Sequence, residues 1–224
     1  DPADPPTTLT ELKAASRAIV DAGAANQGFA LEMQSWYLEQ LFATSGAPVV
    51  DQANGRDARA TEAMLDTASG KAVFAWVDEM LSDGLAANVG RNPGGQDAFL
   101  AIASGDAAMT LGTSAALGSI YDVLASNPDL AAKVVLGVAP MPTIDGGGAG
   151  GVNVGGAALW LADTGTDAEK AATWDFASWL TLPAQQARWH LGTGYVPISK
   201  AAADDPAVTQ LWLDRPGFRV AYDQ

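Results

Sequence analysis

The chain has 224 residues and is 48% hydrophobic, enough for a core in one large domain or two small ones and too apolar for disorder. Its 26 acidic and 12 basic residues leave a formal charge of −14 with no basic cluster, which excludes nucleic acid as a partner. The absence of cysteine excludes a disulfide framework, a cysteine-held zinc and a thiol nucleophile, and no apolar run is long enough to span a bilayer. The opening Asp1-Pro2-Ala3-Asp4-Pro5-Pro6 lacks the charged, apolar, small pattern of an export signal, so any such signal is expected to lie outside the chain.

In chain order, Thr8 to Glu11 fits the capping box T-x-x-E, and Leu9, Leu12, Ile19 and Val20 form a helical stripe that ends near Gly23. Gly28 to Leu31 reads as a short strand, and Ser35 to Thr44 as a helix stopped by Ser45-Gly46-Ala47-Pro48. Ala47 to Asp57 reads as a polar loop and Glu62 to Asp66 as an edge strand. Ser69 is expected to cap a helix to Asp83, with Val73, Trp76, Val77, Met80 and Leu81 on one face and Gly84 as its stop.

The run Phe99 to Thr113, FLAIASGDAAMTLGT, is the most informative. A helix over 95–104 closes at Ser104-Gly105-Asp106, a strand follows over 107–111, and Gly112-Thr113-Ser114 opens a helix over 114–126. A strand that delivers small polar residues to a helix start presents free backbone N–H groups and the positive end of the helix dipole. Strands are expected over 134–139 and 154–162. Ile144 to Val152, with five glycines, reads as a mobile surface loop. Helices are expected over Thr166 to Leu182, Pro183 to Leu191 and 206–214. Helices alternating with a few strands make the class α/β with a helix-rich rim.

The residues that carry chemistry are few. Trp36 lies at a helix start in Gln34-Ser35-Trp36-Tyr37, and the residues alone leave open whether it packs in a core or stacks on a ligand. Trp76, Trp160, Trp174, Trp179, Trp189 and Trp212 follow helical or strand patterns and read as core. Gly155-Gly156 reads either as a turn or as a place where a ligand reaches backbone amides. Thr113 and Ser114 read as helix caps with hydroxyls that could also meet a ligand. Tyr195, in Gly194-Tyr195-Val196-Pro197, holds a phenol beside a rigid proline. His190 is the sole histidine, so a histidine-based metal cluster is excluded. G-x-S-x-G, a P-loop, an EF-hand and a G-x-G-x-x-G following a strand are not found. The pairs Asp78-Glu79 and Asp204-Asp205 point different ways on a helix, and Asp129, Asp145, Asp163 and Asp167 read as turn or cap residues. No enzyme, metal or cofactor is expected; a hydrolase using His190 is the reading from another class.

Phe99 to Thr113, Gly155 to Trp160 (GGAALW), Ala171 to Pro183 (AATWDFASWLTLP) and His190 to Ala201 (HLGTGYVPISKA) together resemble the bacterial solute-binding proteins that feed ABC importers. Through Val89-Gly90-Arg91, Gly105-Asp106 and Thr193-Gly194-Tyr195 the likeness is closest to the glycerol-3-phosphate and glycerophosphodiester binders, the glycerophosphocholine type included.

The resemblance implies a type II periplasmic-binding-protein fold. It implies that residues 1–224 form a single lobe, mainly the C-terminal one, with the N-terminal lobe and the family's extreme C-terminal segment missing. Solute would sit in an interlobe cleft, where Trp36 stacks on or caps it and Met33 adds an apolar wall. Gly155, Gly156, Ser114 and Tyr195 would hydrogen-bond it. An arginine that clamps phosphate in that subgroup has no match here, Arg219 falling too early. The implied partners are a small solute and the membrane permease of an importer, met outside the cytoplasm by a monomer. A neutral di- or oligosaccharide binder of the same family is the alternative, as is a lobe that folds without binding tightly.

Overall fold

The computed structural model describes residues 4–91, 96–148 and 150–224. The chain divides into two compact units, Asp1–Gly112 with Ala139–Asn153 and Thr113–Val138 with Val154–Gln224.

The first unit runs α1 (Leu9–Asp21), β1 (Gln27–Glu32), α2 (Ser35–Ser45), a helical turn α3 (Asp51–Gly55), α4 (Ala68–Ser82), β2 (Ala86–Gly90), α5 (Gln96–Ala103) and β3 (Ala107–Thr110). Its three strands form a parallel sheet in the order β2-β1-β3. As the central strand, β1 is buried on both faces, which explains its nearly continuous apolar sequence. Alternation along it sends Phe29 and Leu31 into a cluster with Leu41, Phe42, Val73, Trp76 and Met80, and Ala30 into another with Ala98 and Ala107. The ring of Phe29 meets Trp76 edge-on at 5.8 Å.

The expected capping box is present: Thr8 accepts from the Glu11 N–H at 3.2 Å, and the Glu11 carboxylate accepts from the Thr8 N–H. Backbone and side-chain hydrogen bonds from Thr7 hold that carboxyl below the ordinary value. On α4 the cap is Thr67 rather than Ser69, because its hydroxyl accepts from Gly70 N–H and starts the helix two residues earlier.

The polar stretch expected over 47–57 contains an ordered turn. Gln52, Ala53 and Asn54 are left-handed, and the Asn54 side chain accepts from the Val49 and Val50 N–H groups. The edge strand expected at Glu62 to Asp66 reduces to an isolated bridge, Val50 to Ala63. There the Asp51 carboxylate takes the Thr61 and Glu62 N–H groups and supplies the local order.

The glycine-rich segment is also seated rather than loose. Ile144 is buried, Gln40 and Asn153 exchange two hydrogen bonds, and a Cβ on Gly150 would lie 1.8 Å from the Ala43 carbonyl. Its glycines permit this approach of backbone to the end of α2. Residue 95, the expected start of a helix, and Ala149 of this segment lie outside the described residues.

The second unit is helical: a 3-10 turn (Ser114–Ala116), α6 (Leu117–Ser126), α7 (Pro128–Ala131), α8 (Asp167–Leu180), α9 (Pro183–Thr193), α10 (Lys200–Ala203), α11 (Pro206–Asp214) and α12 (Gly217–Asp223). Leu117, Ala187, Ala203, Val208, Trp212 and Phe218 form its core. The strands expected over 134–139 and 154–162 are not formed. Both runs fit the strand pattern, but a strand needs a neighbour to pair with, and the sheet's three strands belong to the first unit. Trp160 is 91% exposed, and Trp174, Trp179 and Trp189 are exposed too, so only Trp76 and Trp212 among those six tryptophans are core.

The α/β, helix-rich class is the observed one. Asp145 accepts from Thr10, a structural role as expected, whereas Asp205, read as one of a pair on a helix, is instead the N-cap of α11, its carboxylate accepting from the Ala207 N–H; Thr166 caps α8.

Candidate functional site

In the second unit the chain brings three of the expected ligand residues onto one surface. Pro183 starts α9, and Gly194 ends it with φ +83. No side chain fits there, since a Cβ would lie 2.6 Å from the Ser114 carbonyl oxygen. The α9 end is therefore locked beside Ser114, the first residue after the Thr113 cap. The next residue, Tyr195, is 42% exposed, and its ring edge would lie 3.9 Å from a Cβ on Gly156, whose φ is +128. Ser114, Gly156 and Tyr195 thus converge, and Gly155 is the exposed neighbour of Gly156. The exposed Trp189 ring lies 6.4 Å from Tyr195, adding an aromatic wall. Together these residues offer a hydroxyl, a phenol and glycine backbone to ligand oxygens.

Tyr195 is held from below by His190. The imidazole is fully buried; its Nε2 accepts from the Trp212 indole N–H at 2.9 Å, so its proton sits on Nδ1 and is donated to the Tyr195 carbonyl at 2.7 Å. Burial pushes its pKa below the ordinary value, with the Tyr195 carbonyl opposing. Both ring nitrogens are engaged and no solvent reaches them, so His190 cannot serve as the base of a hydrolase, and that reading is withdrawn. Its role is to position the Tyr195 turn. Arg219, set aside as a phosphate clamp, pairs with Asp223 at 2.9 Å and lies over the Trp212 ring.

The other two expected residues, Met33 and Trp36, belong to the first unit, where β1 turns into α2. The register of β1 against β2 shifts between Leu31 and Glu32, and Glu32, the last residue of the strand, is buried like those before it. Beyond it a recess of about 210 Å³ opens, lined by Met33 and by Phe29, Glu32, Tyr37, Phe74 and Trp76. Trp36 is half-buried on α2 and does not line it. Glu32 accepts from the Gln34 side-chain amide and, at a long 3.4 Å, from the Tyr37 hydroxyl. Burial, with the nearby Glu32 charge, pushes the Tyr37 phenol up to about 12. Glu32, Tyr37 and Trp76 as a lining were missed from sequence. The signal available was a glutamate ending the apolar run Phe29-Ala30-Leu31.

Among the described residues no group of three or more His, Asp or Glu side chains could hold a metal ion, and no helix is long and apolar enough to cross a membrane.

A family model described as bacterial extracellular solute-binding protein matches residues 2–215. The chain belongs to that family. Curated relatives from Escherichia coli (strain K12) and Shigella flexneri, each named sn-glycerol-3-phosphate-binding periplasmic protein UgpB, are 33% identical to it over 230 residues. The match takes in 100% of the chain and 49% of each relative, so the chain spans about half the length of the curated relatives it matches. Among solved structures, UgpB from Mycobacterium tuberculosis in complex with glycerophosphocholine aligns with a TM-score of 0.66 and 22% identity over 98% of this chain and 51% of that one. A cyclic alpha-maltosyl-1,6-maltose binding protein from Arthrobacter globiformis aligns with a TM-score of 0.68 and 22% identity over 99% and 52%. These likenesses establish the periplasmic-binding-protein type of fold.

Proposed function

We propose that the chain is part of the solute-capturing component of an ABC importer, and that its solute is a glycerophosphodiester or a glycerol phosphate. The observation that carries this reading is the 33% identity, along the whole chain, with proteins named for binding sn-glycerol-3-phosphate. The surface formed by Ser114, Gly156 and Tyr195 supports it, because hydroxyls and unobstructed glycine backbone suit a ligand rich in oxygen acceptors. In this reading residues 1–224 contribute one lobe, itself built of two compact units, to a two-lobe receptor. Met33, Trp36, Ser114, Gly155, Gly156 and Tyr195 contact solute. The receptor works outside the cytoplasm as a monomer, without a cofactor, and hands solute to a membrane permease after closing on it.

A neutral di- or oligosaccharide is the second reading, favoured by the exposed Trp189 and Tyr195 rings, which suit stacking on a sugar. Tryptophan fluorescence of the intact protein, titrated with glycerophosphocholine, sn-glycerol-3-phosphate and maltose, separates the two. The expected result is saturation by a phosphorylated glycerol compound, weakened about tenfold in Trp36→Ala and about three- to tenfold in Tyr195→Phe. Saturation by maltose alone would replace the first reading with the second.

A further inference from the structure

The two hydrogen bonds of the His190 imidazole admit one protonation state. Nε2 accepts from the Trp212 indole N–H, so a proton placed there would face another donor 2.9 Å away with no acceptor between them. Nδ1 holds the Tyr195 carbonyl at 2.7 Å, and Tyr195 is the residue whose ring reaches Gly156. The ring has 0% exposure and stands edge-on to Trp212 at 5.7 Å and to Phe218 at 6.0 Å. None of the ion pairs among the described residues includes it, so an imidazolium here would be buried without a counter-charge. The charged side chains around it point to solvent: Arg188 on its own helix, Asp122 on α6, Asp175 on α8, Lys200 and Asp204 on α10, Asp214 on α11, and Arg219 with Asp223 on α12 are all exposed. Two phenols of the cluster, Tyr121 and Tyr222, pack on Phe218 and Trp212. Burial and the Tyr195 carbonyl are what act on the titration of His190. The turn above has no slack, since a Cβ on Gly194 would lie 2.6 Å from the Ser114 carbonyl oxygen and 3.3 Å from the Phe218 ring. A protonated ring must shift to give Nε2–H an acceptor, and the Tyr195 turn shifts with it.

We propose that His190 is the positioning residue of the solute surface and that its protonation releases the Tyr195 turn, so that the protein holds solute with a neutral imidazole and lets it go on acidification. The inference rests on the proposed contact of Tyr195 with solute, and not on which solute that is. Solute and proton then compete. Binding lowers the proton affinity of His190, and below its folded pKa the affinity for solute falls by up to about tenfold per pH unit.

The test titrates glycerophosphocholine into the intact protein by calorimetry from pH 8 to 4.5. A phosphodiester exchanges no proton in this range, unlike a phosphate monoester, whose second pKa is about 6. The imidazole Cε1–H resonance, unambiguous in a chain with one histidine, and the Tyr195 amide resonance are followed over the same range without ligand. Affinity is expected to stay level and then fall, with one midpoint shared by the imidazole and the Tyr195 amide, while circular dichroism shows the protein folded. Trp212→Phe, which removes the indole donor and keeps a ring, is expected to move that midpoint up by about 0.5–1 pH unit. His190→Asn, which keeps a donor toward the Tyr195 carbonyl and does not titrate, is expected to bind with an affinity that no longer varies with pH. Affinity that stays level through the His190 titration, falls at another midpoint or keeps its slope in His190→Asn overturns the proposal, as does an imidazole that stays neutral until the protein unfolds. Failure of glycerophosphocholine at every pH overturns the proposed solute class instead, and the same series with maltose, together with the Tyr195 amide, then decides this inference.

Discussion

The two compact units place the same residue type in opposite environments. In the first, Trp76 sits on the apolar stripe of α4, 6% exposed and edge-on to Phe29 of the central strand. In the second, Trp160 follows an equally apolar run and is 91% exposed, while α8 carries Trp174, Phe176 and Trp179 and has no buried residue at all. Apolar pattern identifies the face a segment can bury. Whether that face is buried depends on a neighbouring element, which β1 has in β2 and β3 and residues 154–162 lack. The second unit instead concentrates its burial around one polar group, His190, wedged between Trp212 and Phe218.

The largest effects that would break this contrast are truncations of tryptophan. Trp76→Ala and Trp212→Ala are each expected to cost about 3–5 kcal/mol of stability, and Trp160→Ala within about 0.5 kcal/mol, read by urea unfolding. Comparable losses at all three positions would show Trp160 to be packed after all. Glycines sharpen the contrast at the next level. A Cβ at Gly28 would lie 2.2 Å from the Ser16 backbone, so Gly28→Ala is expected to cost about 1–3 kcal/mol by forcing α1 off the sheet. Gly192, inside α9 with open space around it, is expected to gain about 0.5–1 kcal/mol as alanine.

A pH dependence is predicted for the second unit. The folded His190 titrates below its ordinary value of 6.5, so below that pH the unfolded chain takes up a proton that the buried imidazole refuses. Stability is expected to be flat above pH 6.5 on this account and to fall on acidification toward the depressed folded value. His190→Gln should remove that slope in a melting-temperature series from pH 7.5 to 5. Small effects are also expected at the caps, where the units are alike. Thr8→Ala and Thr166→Ala each break a capping box and are expected to cost about 1 kcal/mol, equally in both units.

Much of the first unit was legible because its signals are local. The capping box at Thr8, the stripe Val73 to Leu81, the glycine stop at Gly84 and the turn Ser104-Gly105-Asp106 before β3 are all formed. β2 escaped notice because Ala86-Ala87-Asn88-Val89-Gly90 has little alternation, and only pairing with β1 makes it a strand. The glycine-rich segment misled because composition cannot distinguish a glycine that is free from one, such as Gly150, that is crowded. At the site, Ser114, Gly156 and Tyr195 were legible through their resemblance to family motifs, and their convergence is formed by the Gly194 turn. Glu32 as a lining of the recess was not, since a carboxylate at the end of an apolar run reads as a strand end until its partners are known.

Calorimetric titration of the intact protein with glycerophosphocholine tests the central claim most directly. Saturable 1:1 binding, weakened in Tyr195→Phe and in Trp36→Ala with both variants folded, is the result this account predicts. Binding of unchanged affinity in both variants, or none in the wild type, would contradict it.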